Sequence, residues 1–175
     1  MRVNIRPIKR EDCKKFEDAF AAQGWHKSEV MFIEYYKQQS AGRRKVFVAE
    51  HQGELLGYVT LLPEAEAGPF AKRKIPEIAD FNVLKKYQRN GIGTALMDAA
   101  EAEAFKRSDC VCLGVGLHSG YGSAQRLYVK RGYIFDGSGV WYNGVQLEEM
   151  ADTVNDDDLN LFMLKQLKVP AHDII

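Results

Sequence analysis

The sequence predicts a mixed α/β fold built as one domain. Short apolar runs rich in β-branched residues alternate with segments in which apolar residues recur at helical spacing, and glycine or proline separates them. The chain has 175 residues and shows no linker or internal repeat. A chain of that order buries roughly two-thirds of its unfolded surface in one core. We therefore expect one domain over residues 1–168 and a short tail over residues 169–175.

The first part of the chain is expected to form a strand, two helices and a β-hairpin. The first helix begins near Asp12 and stops at Gly24, and the second begins at Ser28 and ends near Gly42. A short polar segment, Gln-Gly-Glu, separates two apolar runs, which is typical of a hairpin. The predicted strands of this part are residues 3–6, 45–51 and 55–62.

The second part is expected to alternate strands and helices after a polar loop over residues 64–74. A strand over Glu77–Val83 leads through a basic turn into a long amphipathic helix. A buried strand and a short helix stopped by Gly132 follow, and two terminal strands flank an acidic stretch. These later elements are the strand 111–117, the helix 123–131, the strands 133–147 and 161–167, and the acidic stretch 148–158.

The charge balance argues against a nucleic-acid or membrane-surface protein. Lys and Arg total 24, as do Asp and Glu, whereas binding to phosphate backbones depends on a cationic surplus. No apolar run approaches the roughly 20 residues that cross a bilayer, and the N-terminus lacks the apolar core of a signal peptide. The three cysteines, Cys13, Cys110 and Cys112, are typical of buried thiols in a reducing compartment. We therefore expect a cytoplasmic protein without a metal site.

Residues 88–94 form a glycine turn between a strand and a helix, a place where an anion can bind. The first N–H groups of a helix lack partners within the helix, and glycines let an anion approach them. A P-loop would have a lysine after Gly93, and a dinucleotide-binding turn would have Gly or Ala where Leu96 stands, so neither nucleotide motif is complete. Three basic residues add charge near the turn: Lys85, Lys86 and Arg89.

This turn, taken with a second motif, resembles the GNAT N-acyltransferase superfamily. Gln-x-x-Gly-x-Gly at residues 88–93 is similar to the family's coenzyme turn, and residues 124–133 resemble its Ala-x-x-Leu-Tyr-x-x-x-Gly-aromatic signature. The resemblance covers nearly the whole chain. It implies a mixed, mostly antiparallel twisted sheet with a splay between the fourth and fifth strands, flanked by about four helices.

The resemblance also implies a binding site for acetyl-CoA. The turn would bind the pyrophosphate, and backbone N–H groups at Phe81 and Val83 would bind the pantetheine and the thioester oxygen. Tyr121 stands where the family often has an asparagine, and Ser119 or Ser123 is then a candidate replacement. The implied cofactor-binding residues of the turn are Gln88, Arg89, Asn90, Gly91, Ile92, Gly93 and Thr94.

Acetyl transfer from a thioester to an amine needs a base and an acid. Glu77 is the first candidate for the base, because the resemblance implies a catalytic glutamate at similar spacing from the turn. Asp80, which regular alternation would place on the opposite face of the strand, and a chain of waters are the alternatives. Tyr128 matches the family tyrosine that protonates the departing thiolate, and a phenol with a pKa near 10 is protonated at neutral pH. A packing role is the alternative for Tyr128.

These inferences predict an acetyl-CoA-dependent N-acetyltransferase that transfers an acetyl group directly to a primary amine in a ternary complex. The acceptor is a small-molecule or protein amine, no nucleic-acid or membrane partner is expected, and the sequence does not decide whether the chain forms a homodimer. The alternative is a non-catalytic acyl-CoA sensor or interaction module on the same fold. His118 is a candidate for a base or for a contact to the acceptor, but it has no carboxylate near it in the sequence, and a lone histidine is more often structural.

Overall fold

The computed structural model describes residues 3–166. Within them the chain forms nine strands and four α-helices, which confirms the predicted mixed α/β class with mostly antiparallel strand pairing. The described residues divide into two compact units, one of residues 3–62 with 78–103 and one of residues 63–77 with 104–166. The division falls inside a strand, between its first residue and its second.

The first unit contains the two N-terminal helices and four neighbouring strands in the order β1-β2-β3-β4. Ser28 caps the second helix by accepting a hydrogen bond from the Met31 backbone N–H at 3.3 Å, which is why the helix begins there. The elements that lie wholly or mostly in this unit are β1 Asn4–Pro7, α1 Asp12–Ala22, α2 Glu29–Ser40, β2 Lys45–His51, β3 Glu54–Leu62, β4 Glu77–Val83 and α3 Ile92–Phe105.

A cluster of aromatic rings forms the core of this unit. Phe16 of α1 and Phe32 of α2 stack with centroids 4.9 Å apart, and Phe32 meets Tyr58 of β3 edge-on at 5.2 Å. All three rings are fully buried, and such pairs are more favourable than burial of their area alone would be. The helices therefore fix the ring of Tyr58, and with it the position of the Tyr58 hydroxyl.

The second unit is organised around its last strand. That strand, β9, pairs antiparallel with β5, β6 and β7, and β8 pairs with β7. Phe162 of β9 packs against Phe70 and Cys112 in a small apolar core. The elements of this unit are β5 Cys110–Gly116, α4 Gly122–Lys130, β6 Ile134–Phe135, β7 Trp141–Tyr142, β8 Val145–Gln146 and β9 Leu159–Gln166.

Residues 133–147 do not form the single strand that the sequence predicts. They form three two-residue strands, β6, β7 and β8, because Gly137, Gly139 and Gly144 adopt positive φ angles of 82°, 79° and 74°, and such angles interrupt an extended strand. The loop over residues 64–74 also differs from a wholly polar loop, since Phe70 is buried.

Most other predicted elements are confirmed within one or two residues, including the two N-terminal helices and the strand Glu77–Val83. Leu167, the predicted end of the last strand, and the predicted tail over residues 169–175 lie outside the described residues. The domain boundary at residue 168 and the splay between the fourth and fifth strands stay predictions. Between residues 3 and 166, no helix combines the length and apolar character that crossing a bilayer requires.

Candidate functional site

The glycine turn lies a few residues after β4 and is held by the side chain of its own Asn90. The Leu84 N–H donates to the Leu56 carbonyl of β3 at 2.9 Å, and a short helical turn, Lys85–Tyr87, then leads the chain away from the sheet. Asn90 Nδ2 donates to the carbonyls of Tyr87 and Gln88 at 3.2 and 3.1 Å. Because one amide group bonds two carbonyls of the loop, the conformation of the turn is fixed before α3 begins.

Gly91 is the residue that makes the turn suitable for an anion. Its φ is 77°, and a Cβ added there would meet nothing within 4 Å, so the backbone faces open space. The first bond of α3 runs from the Ala95 N–H to the Gly91 carbonyl at 3.0 Å, and the N–H groups before Ala95 have no acceptor within the helix. These features fit a phosphate group at the N-terminus of α3.

Two of the three basic side chains beside the turn, those of Lys85 and Lys86, have partners in the same unit. Lys85 Nζ lies 4.9 Å from the centre of the Trp25 ring and 3.3 Å from the Gln23 carbonyl. Lys86 Nζ lies 3.9 Å from a carboxylate oxygen of Glu54, with both side chains mostly exposed, and such pairs contribute little to stability. The positive charge that the sequence predicts here is therefore partly balanced by Glu54.

Four hydrogen bonds engage the carboxylate of Asp80 on β4. Its Oδ1 accepts hydrogen bonds from Lys27 Nζ and Asn82 Nδ2, each at 2.8 Å. Its Oδ2 accepts from the hydroxyls of Tyr35 at 2.9 Å and Tyr58 at 2.6 Å. An ionised carboxylate offers about four lone-pair sites, so these donors leave Asp80 little capacity to accept a substrate proton. This geometry favours a structural role for Asp80 over the role of base.

Burial and the charge of Asp80 act on the two tyrosines. The pKa of the Tyr58 hydroxyl is raised well above its ordinary value, first by burial and then by the neighbouring carboxylate. The pKa of Tyr35 is raised for the same two reasons, in the same order. Both hydroxyls therefore stay protonated at neutral pH and remain donors to Asp80.

The backbone at Asp80 is unusual for a strand. Its φ is 42°, in the left-handed region that non-glycine residues rarely adopt, at a cost of about 1 to 3 kcal/mol. The preceding carbonyl, of Ala79, accepts a hydrogen bond from the Thr60 hydroxyl at 2.8 Å, and Arg44 donates to the same hydroxyl oxygen at 2.7 Å. The side chains of Thr60 and Arg44 therefore hold the peptide that precedes the strained angle.

Close backbone contact also defines the end of β4. A Cβ added to Gly57 of β3 would lie 2.5 Å from the Asn82 carbonyl oxygen and 2.9 Å from the Val83 Cα. Gln88 Nε2 donates to the Val83 carbonyl at 3.1 Å, which ties the end of the strand to the glycine turn. The predicted cofactor-binding positions Phe81 and Val83 thus lie on a strand segment whose backbone is constrained from several directions.

Glu77 begins β4 and lies in the second unit beside Cys112. Cys112 is fully buried, and its thiol donates to the Pro76 carbonyl at 3.4 Å. Burial raises the pKa of Cys112, and the charge of Glu77 adds to that effect. Cys112 is therefore a protonated thiol and a poor nucleophile, as expected for a structural cysteine.

Tyr128 lies on α4 in the second unit and is 6% exposed. Burial raises the pKa of Tyr128, with a smaller contribution from Tyr121. The Tyr128 ring lies 5.8 Å from the ring of Tyr133. A phenol in this setting is protonated at neutral pH and can donate a proton or a hydrogen bond.

His118 has a carboxylate partner that its sequence neighbourhood does not reveal. His118 Nε2 lies 2.9 Å from Asp157 Oδ1, which also accepts the Tyr121 hydroxyl at 2.9 Å. The other ring nitrogen, Nδ1, accepts from the Gly120 N–H at 3.1 Å. These bonds link the turn before α4 to the acidic stretch, so Asp157 has structural contacts and is not only a solvent-facing loop residue. Tyr121, in the position of the family asparagine, belongs to this cluster.

Comparison with known proteins decides the family. The profile of the Acetyltransferase (GNAT) family matches residues 10–133, more than half of the chain. The chain belongs to the GNAT acetyltransferase family.

Individual relatives are similar to this GNAT chain in sequence or in fold. An N-alpha-acetyltransferase of Sulfurisphaera tokodaii is 36% identical over 75 residues, a segment that spans 39% of this chain and 42% of that protein. Ard1 from Thermoplasma volcanium has a similar fold, with a TM-score of 0.69 at 17% identity over 97% of this chain and 100% of the other. So has yncA from Salmonella typhimurium, solved with its cofactor acetyl-CoA, with a TM-score of 0.66 at 19% identity over 97% and 96% of the two chains.

The sequence of this GNAT chain reveals one part of the candidate site, the glycine turn, but not the hydrogen-bond partners of Asp80 and His118. The glycine turn and the strand before it were found from the order of their residues, because both are local in sequence. The partners of Asp80 were missed, since Lys27 lies 53 residues from Asp80 and Tyr35 lies 45 residues away. Asp157, 39 residues from His118, was missed for the same reason.

Proposed function

We propose that this GNAT protein is an acetyl-CoA-dependent N-acetyltransferase that acts on a primary amine. The observation that carries the proposal is the glycine turn. Gly91 has a φ of 77° and its backbone faces open space at the start of α3, which suits the pyrophosphate of acetyl-CoA. In this proposal residues 88–94 bind the coenzyme through backbone N–H groups, and Phe81 and Val83 bind the pantetheine and thioester through theirs.

The chemistry assigned to this chain is direct transfer within a ternary complex. The amine nitrogen attacks the acetyl carbonyl carbon, a C–N bond forms and the C–S bond breaks. Glu77 accepts the proton that the amine loses, and Tyr128 gives its proton to the departing thiolate. Deprotonating an amine of pKa near 10.4 at neutral pH costs about 4 to 5 kcal/mol, so a base positioned beside the amine assists the reaction. The raised pKa of Tyr128 keeps it protonated until the thiolate forms.

The acceptor is proposed to be a small-molecule or protein amine, and the protein is proposed to act in the cytoplasm. The three cysteines are free thiols in the structure, which suits a reducing compartment. Whether two copies associate is a question for measurement of the mass in solution.

A thiol-release assay tests the proposal. Acetyl-CoA is supplied with a library of amino acids, peptides with free N-termini, polyamines and amino sugars, and release of CoA is followed. We expect release with one amine class and a product that carries the acetyl group on nitrogen. If calorimetry shows binding of CoA but no amine causes release of CoA from acetyl-CoA, the protein is an acyl-CoA-sensing module and not an enzyme.

Glu77→Gln tests the assigned base in the same assay. Loss of general-base help is expected to reduce turnover by about 10² to 10⁴, with CoA affinity unchanged. The matched control is Glu66→Gln, an exposed glutamate of the loop before β4, for which wild-type turnover is expected. Wild-type turnover for Glu77→Gln would leave proton removal to a water chain.

A further inference from the structure

We propose that Asp80 is a positioning residue, and that a closed ring of side chains around it sets the direction of the β4 backbone that receives the thioester. We call this ring the Asp80 network; its members are Tyr35, Arg44, Thr60, Ala79 and Asp80. The proposal rests on the proposed function, because that function assigns thioester binding to the backbone N–H groups of Phe81 and Val83.

Four non-covalent contacts and one peptide bond close the network into a ring. The Tyr35 hydroxyl donates to Asp80 Oδ2 at 2.9 Å, and the Arg44 guanidinium lies 4.6 Å from the centre of the Tyr35 ring. Arg44 Nη1 donates to the Thr60 hydroxyl oxygen at 2.7 Å, and that hydroxyl donates to the Ala79 carbonyl at 2.8 Å. Ala79 and Asp80 share a peptide bond, which completes the ring.

The network holds the backbone at the one position of β4 that has a left-handed angle. The Ala79 carbonyl fixes the peptide before the Asp80 Cα, and the carboxylate fixes the side chain on that Cα. The peptide after the Cα carries the Phe81 N–H, so the angles of Asp80 set the direction in which this N–H points. Because the peptide before the Asp80 Cα and the side chain on that Cα are both held, the network restricts the directions in which the Phe81 N–H can point.

Two further side chains hold the carboxylate in place. Lys27 Nζ bonds Asp80 Oδ1 at 2.8 Å with both side chains only 20% exposed, and it lies 5.9 and 5.7 Å from the ring centres of Phe20 and Tyr58. Tyr58 donates to Asp80 at 2.6 Å from a buried ring. A carboxylate with all its lone pairs engaged can influence the reaction without contact to the substrate. We therefore assign Asp80 a role in orienting the β4 backbone.

Tyr35→Phe and Thr60→Val break the network at two separate places. Each removes one hydroxyl and keeps the shape of the side chain. We expect kcat with acetyl-CoA to fall about tenfold or more, because small misplacement of binding groups costs up to about 10²-fold. The affinity for CoA without the acetyl group, bound mainly at the glycine turn, should change less than about twofold. Thr60→Ser restores the hydroxyl and should recover most of kcat.

The matched control is Tyr36→Phe, which removes a hydroxyl from the next residue of α2 and is expected to leave kcat unchanged. Tyr36 packs against the aromatic core of the first unit and is not a member of the network. A general loss of stability would lower the melting temperature and CoA affinity together, and that pattern in Tyr35→Phe and Thr60→Val would overturn the proposal.

Hydrogen exchange separates this proposal from the proposed function. In Tyr35→Phe, the amides of β4 from Phe81 to Val83 should exchange several-fold faster than in wild type, with α1 unchanged. If wild type releases no CoA with any amine but this local exchange appears, the function has failed and the positioning role stands. Exchange and kcat both at wild-type values in Tyr35→Phe and Thr60→Val would refute the positioning role.

Discussion

The hydroxyl of Tyr58 donates to Asp80 Oδ2 at 2.6 Å from a ring that is fully buried. Tyr58 belongs to β3 and to the aromatic core, whereas Asp80 lies on β4 ahead of the glycine turn. The contact therefore connects the packing of α1 and α2 with the strand that is assigned to the thioester. It also distinguishes the roles of the two acidic residues of β4. Asp80 is engaged in internal hydrogen bonds, and Glu77 is the residue proposed for proton transfer.

Asp80→Ala is expected to lower the free energy of unfolding by about 2 to 3 kcal/mol. The change leaves the buried hydroxyl of Tyr58 without its acceptor, and an unsatisfied buried donor costs about 1 to 3 kcal/mol; Lys27 and Tyr35 lose the same partner. Urea unfolding followed by circular dichroism measures the change. The double variant Tyr58→Phe with Asp80→Ala should be less than additive, and strict additivity would contradict the coupling.

Gly91→Val is expected to abolish measurable binding of CoA. The side chain would occupy the open space at the start of α3, and a β-branched residue is strained at a φ of 77°. Gly42→Val is the matched control, because Gly42 has a φ of 72° and equally open surroundings but lies between α2 and β2. Isothermal calorimetry should show normal CoA affinity in the control; retained affinity in Gly91→Val would place the coenzyme elsewhere.

Tyr128→Phe is expected to lower kcat by at least about tenfold, with little change in CoA affinity, because the thiolate loses its proton donor. Tyr142→Phe, which removes a hydroxyl that bonds Asp156 at 3.2 Å, serves as the control in the same unit. The kcat of the wild type should show no alkaline limb near pH 10 from Tyr128, since burial raises the pKa of Tyr128. Equal kcat for wild type and Tyr128→Phe would leave this tyrosine a packing role alone.

Stability is expected to fall above about pH 10. Burial raises the pKa of Tyr35, Tyr58 and Tyr128, whereas an unfolded chain ionises its tyrosines near pH 10. Below that pH these hydroxyls are protonated in both states and contribute no pH dependence. Above it the unfolded state binds fewer protons, so the free energy of unfolding drops by up to about 1.4 kcal/mol per pH unit for each tyrosine.

Urea unfolding between pH 8 and pH 11 checks this expectation. Tyr58→Phe should show a shallower decline than wild type, because one of the three groups no longer ionises on unfolding. Tyr36→Phe, which removes a hydroxyl outside the Asp80 network, is the control and is expected to follow the wild-type slope. Parallel declines in wild type and Tyr58→Phe would contradict the assignment.

Local patterns were enough to predict much of this chain. The strand Glu77–Val83, the turn around Gly91 and the helix that follows are written in consecutive residues, and their geometry depends mainly on backbone preferences and apolar spacing. The same is true of Ser28 at the start of α2, whose cap involves a residue three positions later. The β-branched and aromatic residues of the stretch 133–147 predict one strand, but three glycines with positive φ angles break it.

The sequence by itself determined the fold class, the order of most elements and the position of the glycine turn, because each depends on residues close together in the chain. Only the tertiary structure decided what Asp80 does, since its donors come from the α1–α2 loop, α2 and β3 as well as from β4. It also joined His118 to Asp157 across 39 residues. Such contacts follow from how the elements pack, and no local periodicity records which distant side chain will arrive beside a given carboxylate.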